Sequence, residues 1–206
     1  MTVSFFEKLK YKIKTRISSL QSGDTLFEQN NTVSRVYFIK SGRIKLTRHT
    51  VDGSPIVLHV GYMGEFIAEA SLFSERYHCS AIADQTSEIE SISKKDFLNF
   101  IERNPQEMKL LLSIFANQVR DLRTLSEIKN IKSANERILT FLRSKATSVS
   151  SENKDQNEIY RKFPINTSLK DIAYKIGLTH ETFYRELKKL EKSGIILRDD
   201  KWITLI

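Results

Sequence analysis

Thr167-Ser-Leu-Lys-Asp-Ile-Ala-Tyr-Lys-Ile-Gly-Leu-Thr-His-Glu-Thr-Phe-Tyr-Arg-Glu-Leu-Lys-Lys-Leu190 is the stretch that decides how this chain is read. Gly177 divides it into two short helices. Ser168 stands where it can cap the first, with Asp171 three residues on, and Thr179 can cap the second. Ile172, Ala173 and Ile176 give the first helix an inward face, Leu178 fills the turn, and Phe183, Leu187 and Leu190 give the second helix its own inward face. Two short helices joined through a glycine make a helix-turn-helix.

On the second helix Glu181, Arg185 and Lys188 share the outward stripe, so all three reach the same groove floor. An arginine fork matches guanine O6 and N7, and a carboxylate accepts from cytosine N4. Lys189 and Lys192 suit phosphates, and the helix N-terminus offers amides to one more. Beyond Gly194, Ile195-Ile-Leu197 and Trp202-Ile-Thr-Leu-Ile206 flank Arg198-Asp-Asp-Lys201 as a hairpin wing, whose acidic tip argues against deep groove insertion. The local features also fit a small helical bundle whose exposed charges are merely solvated ion pairs.

The rest of the chain changes character twice. Between Asp24 and Ile92 short apolar runs, Val36-Tyr-Phe-Ile39, Ile44-Lys-Leu46 and Ile56-Val-Leu-His-Val60, are punctuated by Ser41-Gly42, Asp52-Gly53 and Tyr62-Met-Gly64, the pattern of an antiparallel jelly roll or barrel. Asp52-Gly53 is the clearest hairpin turn. All seven glycines lie outside the middle of the chain, which is therefore expected to be helical. From Pro105 to Ile131, Leu112, Phe115, Val119, Leu122, Leu125, Ile128 and Ile131 recur every three or four residues along one long helix. Such a stripe serves as a dimer seam or packs on the chain's own β domain, and its length favours the seam. A further helix is expected over Ala134 to Ser144, and Thr147 to Glu158, polar and without period, reads as a surface loop.

Composition bounds the chemistry. The chain has 206 residues, 40% of them hydrophobic, enough for two modest domains. Lys and Arg outnumber Asp and Glu by 33 to 25, a formal charge of +8 that favours a polyanionic partner without naming one. No run approaches the roughly 18 apolar residues of a membrane span, and the first residues carry no signal-peptide core, so a cytoplasmic location without membrane attachment is expected. The single cysteine, Cys79, cannot supply a disulfide framework or an iron-sulfur cluster within one chain. Four scattered histidines give no metal spacing, and no catalytic constellation stands out, so neither metal nor enzyme activity is expected.

Taken together the chain resembles the Crp/Fnr superfamily over nearly its whole length. Ser22-Gly-Asp-Thr-Leu-Phe27, Val36-Tyr-Phe-Ile-Lys-Ser-Gly-Arg-Ile-Lys45 and Gly64-Glu-Phe-Ile-Ala-Glu-Ala-Ser-Leu-Phe73 stand in the order of the family's cyclic-nucleotide-binding-like domain. The resemblance implies an α+β architecture: a β sensor domain over 1–104, a dimerisation helix over 105–132 and a winged helix-turn-helix over 133–206. It implies a homodimer whose seam includes Phe115, Val119, Leu122, Leu125 and Ile128. It implies pseudo-palindromic double-stranded DNA as partner, contacted by Ser168, Thr179, His180, Glu181, Thr182, Arg185, Lys188 and Lys189, with RNA polymerase as a further partner of the family's activators. Glu181 and Arg185 resemble the family's base-reading pair for a G·C pair, although Tyr184 stands where the family has a small residue.

The effector pocket implied by the resemblance comprises Gly64, Glu65, Glu69, Cys79 and Ser80. Glu69 occupies the position of the glutamate that meets ribose, but Cys79-Ser80-Ala81 occupies that of an Arg-Ser-Ala phosphate cassette. A buried phosphate without its guanidinium is costly, so cyclic AMP is not the expected effector, and DNA binding is expected either ungated or gated by another ligand. His78-Cys79 raises haem as a ligand, but neighbours in extended chain point to opposite faces and cannot share one iron.

Overall fold

The computed structural model describes residues 5, 6, 9, 12–150, 159–165 and 167–206, which fall into two compact units, 1–115 and 116–206. The first unit holds two four-stranded antiparallel sheets. One is ordered β1 (Arg16–Leu20), β8 (Ser87–Ser93), β3 (Arg35–Ser41), β6 (Phe66–Ile67), and the other β2 (Thr25–Phe27), β7 (Ser80–Ala83), β4 (Arg43–His49), β5 (Pro55–Tyr62). Facing residues, among them Phe27, Tyr37, Ile39, Ile44, Ile67, Ala81, Ala83 and Ile89, bury one another between the sheets.

The run Val36-Tyr-Phe-Ile39 is apolar throughout because β3 is covered on both faces. Tyr37 and Ile39 face the barrel, whereas Val36 and Phe38 join Phe5, Phe6 and Leu9, Phe97 and Phe100 of α1 (Lys94–Arg103), and Leu111 and Ile114 of α2 (Pro105–Asn130). Phe6 stacks on Phe38 at 4.2 Å between ring centroids. The hairpin between β4 and β5 turns at Asp52-Gly53 as expected, with Gly53 at φ 82°.

In the second unit the last turns of α2 pack with α3 (Ala134–Lys145), α4 (Leu169–Lys175), α5 (His180–Lys192) and a sheet ordered β11 (Ile196–Arg198), β12 (Trp202–Leu205), β10 (Ile159–Pro164), β9 (Thr147–Ser150). Two expectations need correction. Thr147–Ser150, read as loop, is a strand, because its register with β10 from Thr147↔Lys162 to Ser150↔Ile159 supplies ladder partners that its polar residues do not advertise; residues 151–158 of that expected loop lie outside the described ones. The glycine-poor middle is not uniformly helical either, since β7 and β8 precede α1 and β9 and β10 follow α3.

The long helix forms as expected, but its apolar stripe divides among three environments. Phe115 packs against the core of the first unit, Leu125 and the fully buried Ile128 belong to that of the second, and Leu112, Val119 and Leu122 stand 58%, 47% and 66% exposed. Ile128 is therefore removed from the expected seam. A side chain enclosed by Ile138, Phe141, Leu142 and Ile176 has no surface left for another copy.

Candidate functional site

The helix-turn-helix is built from its caps inward. Ser168 Oγ accepts from the Asp171 N–H at 3.1 Å and Thr179 Oγ1 from the Thr182 N–H at 3.2 Å, so each helix start satisfies one otherwise orphaned amide. Gly177 takes φ 70° between them, a conformation costly for a residue with Cβ. Arg137 of α3 clamps the turn: its guanidinium donates to the carbonyls of Gly177 at 3.0 Å, Ile176 at 3.3 Å and Ile131 at 3.0 Å. Phe183, Leu187 and Leu190 are buried, which turns His180, Glu181, Tyr184, Arg185, Lys188 and Lys189 outward on α5.

Chemistry on that face is more organised than spacing alone shows. Glu186 accepts from Arg185 Nε at 3.1 Å and from Lys189 Nζ at 2.9 Å. With Nε held, the terminal nitrogens of Arg185 remain for a bidentate contact. Its own backbone N–H and the Thr179 hydroxyl hold the Glu181 carboxyl below the usual range, so it is an acceptor only. The rings of His180 and Tyr184 lie 4.4 Å apart beside this stripe. In the wing, Asp199 accepts from the N–H groups of Lys201 and Trp202 at 2.7 and 2.8 Å, so this acid shapes the turn.

At the barrel the expected pocket residues separate. Gly64, at φ 90°, makes the turn before β6, its N–H donating to the Ile39 carbonyl. Glu65 is engaged by His59 Nε2 at 2.7 Å. Glu69 lies in a single 3₁₀ turn entered through Ala68 at φ 73°, and burial pushes its carboxyl up against the opposing pull of its own N–H and of His59. Cys79 is buried between the sheets, its thiol pushed up to about 11 by burial and by Glu69, with Arg48 opposing. Ser80 points the other way. Its Oγ accepts from the Gln29 N–H at 2.9 Å, and it lines an outer cleft of about 490 Å³ with Thr25, Glu28, Asn30, His49 and Ile82. His78, exposed, bonds Ser71 Oγ at 2.8 Å while Cys79 is enclosed, so the pair faces apart.

Comparison with known proteins agrees with both units. Residues 17–104 match the cyclic nucleotide-binding domain family and residues 136–206 the Crp-like helix-turn-helix domain family. The chain belongs to the Crp/Fnr superfamily. The transcriptional activator protein FnrA of Stutzerimonas stutzeri is 25% identical to this Crp/Fnr regulator over 187 residues, 91% of this chain and 75% of that one. Among solved folds, FixK2 of Bradyrhizobium japonicum superposes with a TM-score of 0.66 at 19% identity over 94% of this chain and 93% of that one. A CooA variant of Carboxydothermus hydrogenoformans gives 0.68 at 19% identity over 93% and 83%. The family is one of transcription regulators that bind DNA, not of enzymes. No helix among the described residues is long and apolar enough to cross a membrane.

Four residues of this Crp/Fnr regulator escape a reading by spacing. Arg137 and Glu186 act through partners 40 residues and one residue away, respectively. Only the second carried a signal, an acid immediately after Arg185. His59 and Arg48 depend on strand register, which no local pattern discloses.

Proposed function

We propose that this regulator acts as a homodimer on a pseudo-palindromic duplex, with α5 of each copy in the major groove of one half-site, and that cyclic AMP does not gate it. The single observation that carries the reading is the face of α5. Glu181, Arg185 and Lys188 are outward and Arg185 is oriented by Glu186, whereas the opposite face is wholly enclosed. Arg185 reads guanine O6 and N7 and Glu181 accepts from the paired cytosine, with Lys188 and Lys189 toward the backbone. Ser168, Thr179 and Thr182, engaged in capping, add contacts to phosphate. Tyr184 adds bulk next to the G·C reader.

Dimerisation through α2 is supported by Leu112, Val119 and Leu122, apolar and exposed at a, d-like spacing with the half-buried Phe115 between them. Twofold symmetry then puts half-sites about one helical turn, roughly 34 Å, apart. Independence from cyclic AMP is supported by the thiol at position 79, which offers a phosphate no charge. A location in the cytoplasm follows from this role, and RNA polymerase is the partner if the regulator activates.

The deciding experiment is selection from random duplex DNA by the full chain at physiological salt without added ligand. The expected result is a palindrome with a G·C pair in each half-site, lost with Arg185→Ala. Retention that is featureless and abolished by modest salt overturns the reading of α5, and a palindrome recovered only with cyclic AMP present overturns its independence.

A further inference from the structure

The core of the second unit is open at one end, and two arginines stand at the opening. On the inner face of its sheet Arg161 and Phe163 of β10 lie opposite Leu205 and Ile203 of β12, and Ile196 and Arg198 of β11 continue that face. Phe163, Ile196 and Ile203 are enclosed with Phe141 and Leu142 of α3, the rings of Phe141 and Phe163 5.7 Å apart. Beyond this enclosed row lies a cleft of about 230 Å³, lined by Arg143 of α3, Arg161, Ile195, Leu205 and Ile206. The Ile206 N–H donates to the Ile195 carbonyl at 3.1 Å, which ties together the two segments of its apolar side.

An exposed arginine is ordinarily a solvated one or half of a surface ion pair. The same face supplies the comparison. Arg198, at its other end, donates to Glu191 of α5 at 3.0 Å, and on α3 Lys145 donates to Asp121 at 2.7 Å. Arg143 and Arg161 have neither a hydrogen-bond nor an ion-pair partner among the described residues, and no residue lining the cleft is acidic. Two like charges on one cleft repel one another, and an anion between them relieves that repulsion while accepting from both forks. The rest of the wall offers only hydrocarbon, with Ile195 and Ile206 exposed, so an apolar group laid on it is favoured.

We propose that this cleft is a binding site for a small carboxylate with a compact apolar body, its oxygens between Arg143 and Arg161 and its hydrocarbon on Ile195, Leu205 and Ile206. A guanidinium pairs with a carboxylate through two parallel N–H donors and also stacks on aromatic faces, so an arylcarboxylate suits both the charge and the wall. The cleft is smaller than the roughly 300–1,000 Å³ of drug-sized sites, which limits the ligand to about one ring. Its residues belong neither to the barrel interior nor to the outward stripe of α5, so the site stands or falls without the DNA reading.

Isothermal titration of the full chain with benzoate tests the site, with benzamide as the uncharged match and inorganic phosphate as an anion without an apolar body. Saturable binding of benzoate in the millimolar range or tighter is expected, with benzamide and phosphate each weaker by about tenfold or more. Arg143→Leu and Arg161→Leu are each expected to weaken benzoate about tenfold, the worth of a charge-assisted hydrogen bond, while Arg198→Leu leaves it unchanged. Both cleft arginines are exposed, so the circular dichroism of their variants should match that of the parent chain. No saturable binding of benzoate overturns the proposal. So does benzamide or phosphate binding as tightly as benzoate, or an equal loss in Arg198→Leu, which would reduce the effect to overall positive charge.

Discussion

Helix α5 and the β barrel each carry an acid and an arginine, Glu181 and Arg185 in the first and Glu69 and Arg48 in the second, and the two pairs are placed by opposite routes. On α5 the pair is four residues apart, held by one helix turn, and its positioning partners Thr179 and Glu186 are immediate neighbours. In the barrel the two residues are 21 positions apart and come from different elements, so a shift of one residue in the β4/β7 register would send Arg48 to the outer face. A local pair survives loss of distant packing more easily than a register-built one. The first is disturbed mainly by changes at its own side chains, and the second by changes anywhere that let the sheets slip.

Substitutions in the two cores test that contrast most severely. Phe97→Ala, which empties a fully enclosed position under the sheet of the first unit, is expected to cost about 3–5 kcal/mol, and Ile128→Ala in the second unit about 2–5 kcal/mol. Denaturant melts followed by amide exchange should assign each loss to its own unit, and equal loss of protection in both units would show them to be one cooperative block. Next in size is Leu122→Glu. Each copy of an isologous seam carries the substitution, so about 3 kcal/mol or more of association is expected to vanish while the thermal stability of the helices changes little, as read by sedimentation and circular dichroism. Arg185→Ala should cost about 1–3 kcal/mol of specific binding and relax selectivity at the G·C pair, measured as the ratio of matched to mismatched duplex. Thr179→Ala, removing one cap, is expected to lower stability by about 1 kcal/mol.

The smallest effect concerns Cys79. Because burial raises its thiol to about 11, the folded protein holds that proton more tightly than the unfolded chain, whose thiol titrates near 8.5. Its contribution to stability is complete below about pH 8.5 and is lost as pH rises toward 11. Alkylation by iodoacetamide at pH 8 is therefore expected to be slow until urea unfolds the first unit. Rapid labelling of the native protein would place the thiol outside the barrel core.

What could be read from sequence follows the same division. Both helix-turn-helix caps, the glycine turn, the buried face of α5 and the β4–β5 hairpin were legible because each depends on residues within a few positions of one another. The stripe of α2 was legible as a stripe but not as three surfaces, since periodicity states that a face is apolar without stating what covers it. Thr147–Ser150 was too short and polar to declare itself a strand apart from its partner. The pocket motif was legible in order, yet Ser80 lies on the outer face and Arg48 on the inner one, a sorting fixed only once β4 and β7 are paired.

Arg137 has a mechanical consequence. By gripping Ile131, at the end of the long helix, together with Ile176 and Gly177 in the helix-turn-helix, one side chain braces three chain segments that meet at an elbow. A joint braced in this way resists bending and transmits torque. Arg137→Ala would release all three segments at once and leave the elbow held by the packing of Ile128, Ile138 and Ile176 alone.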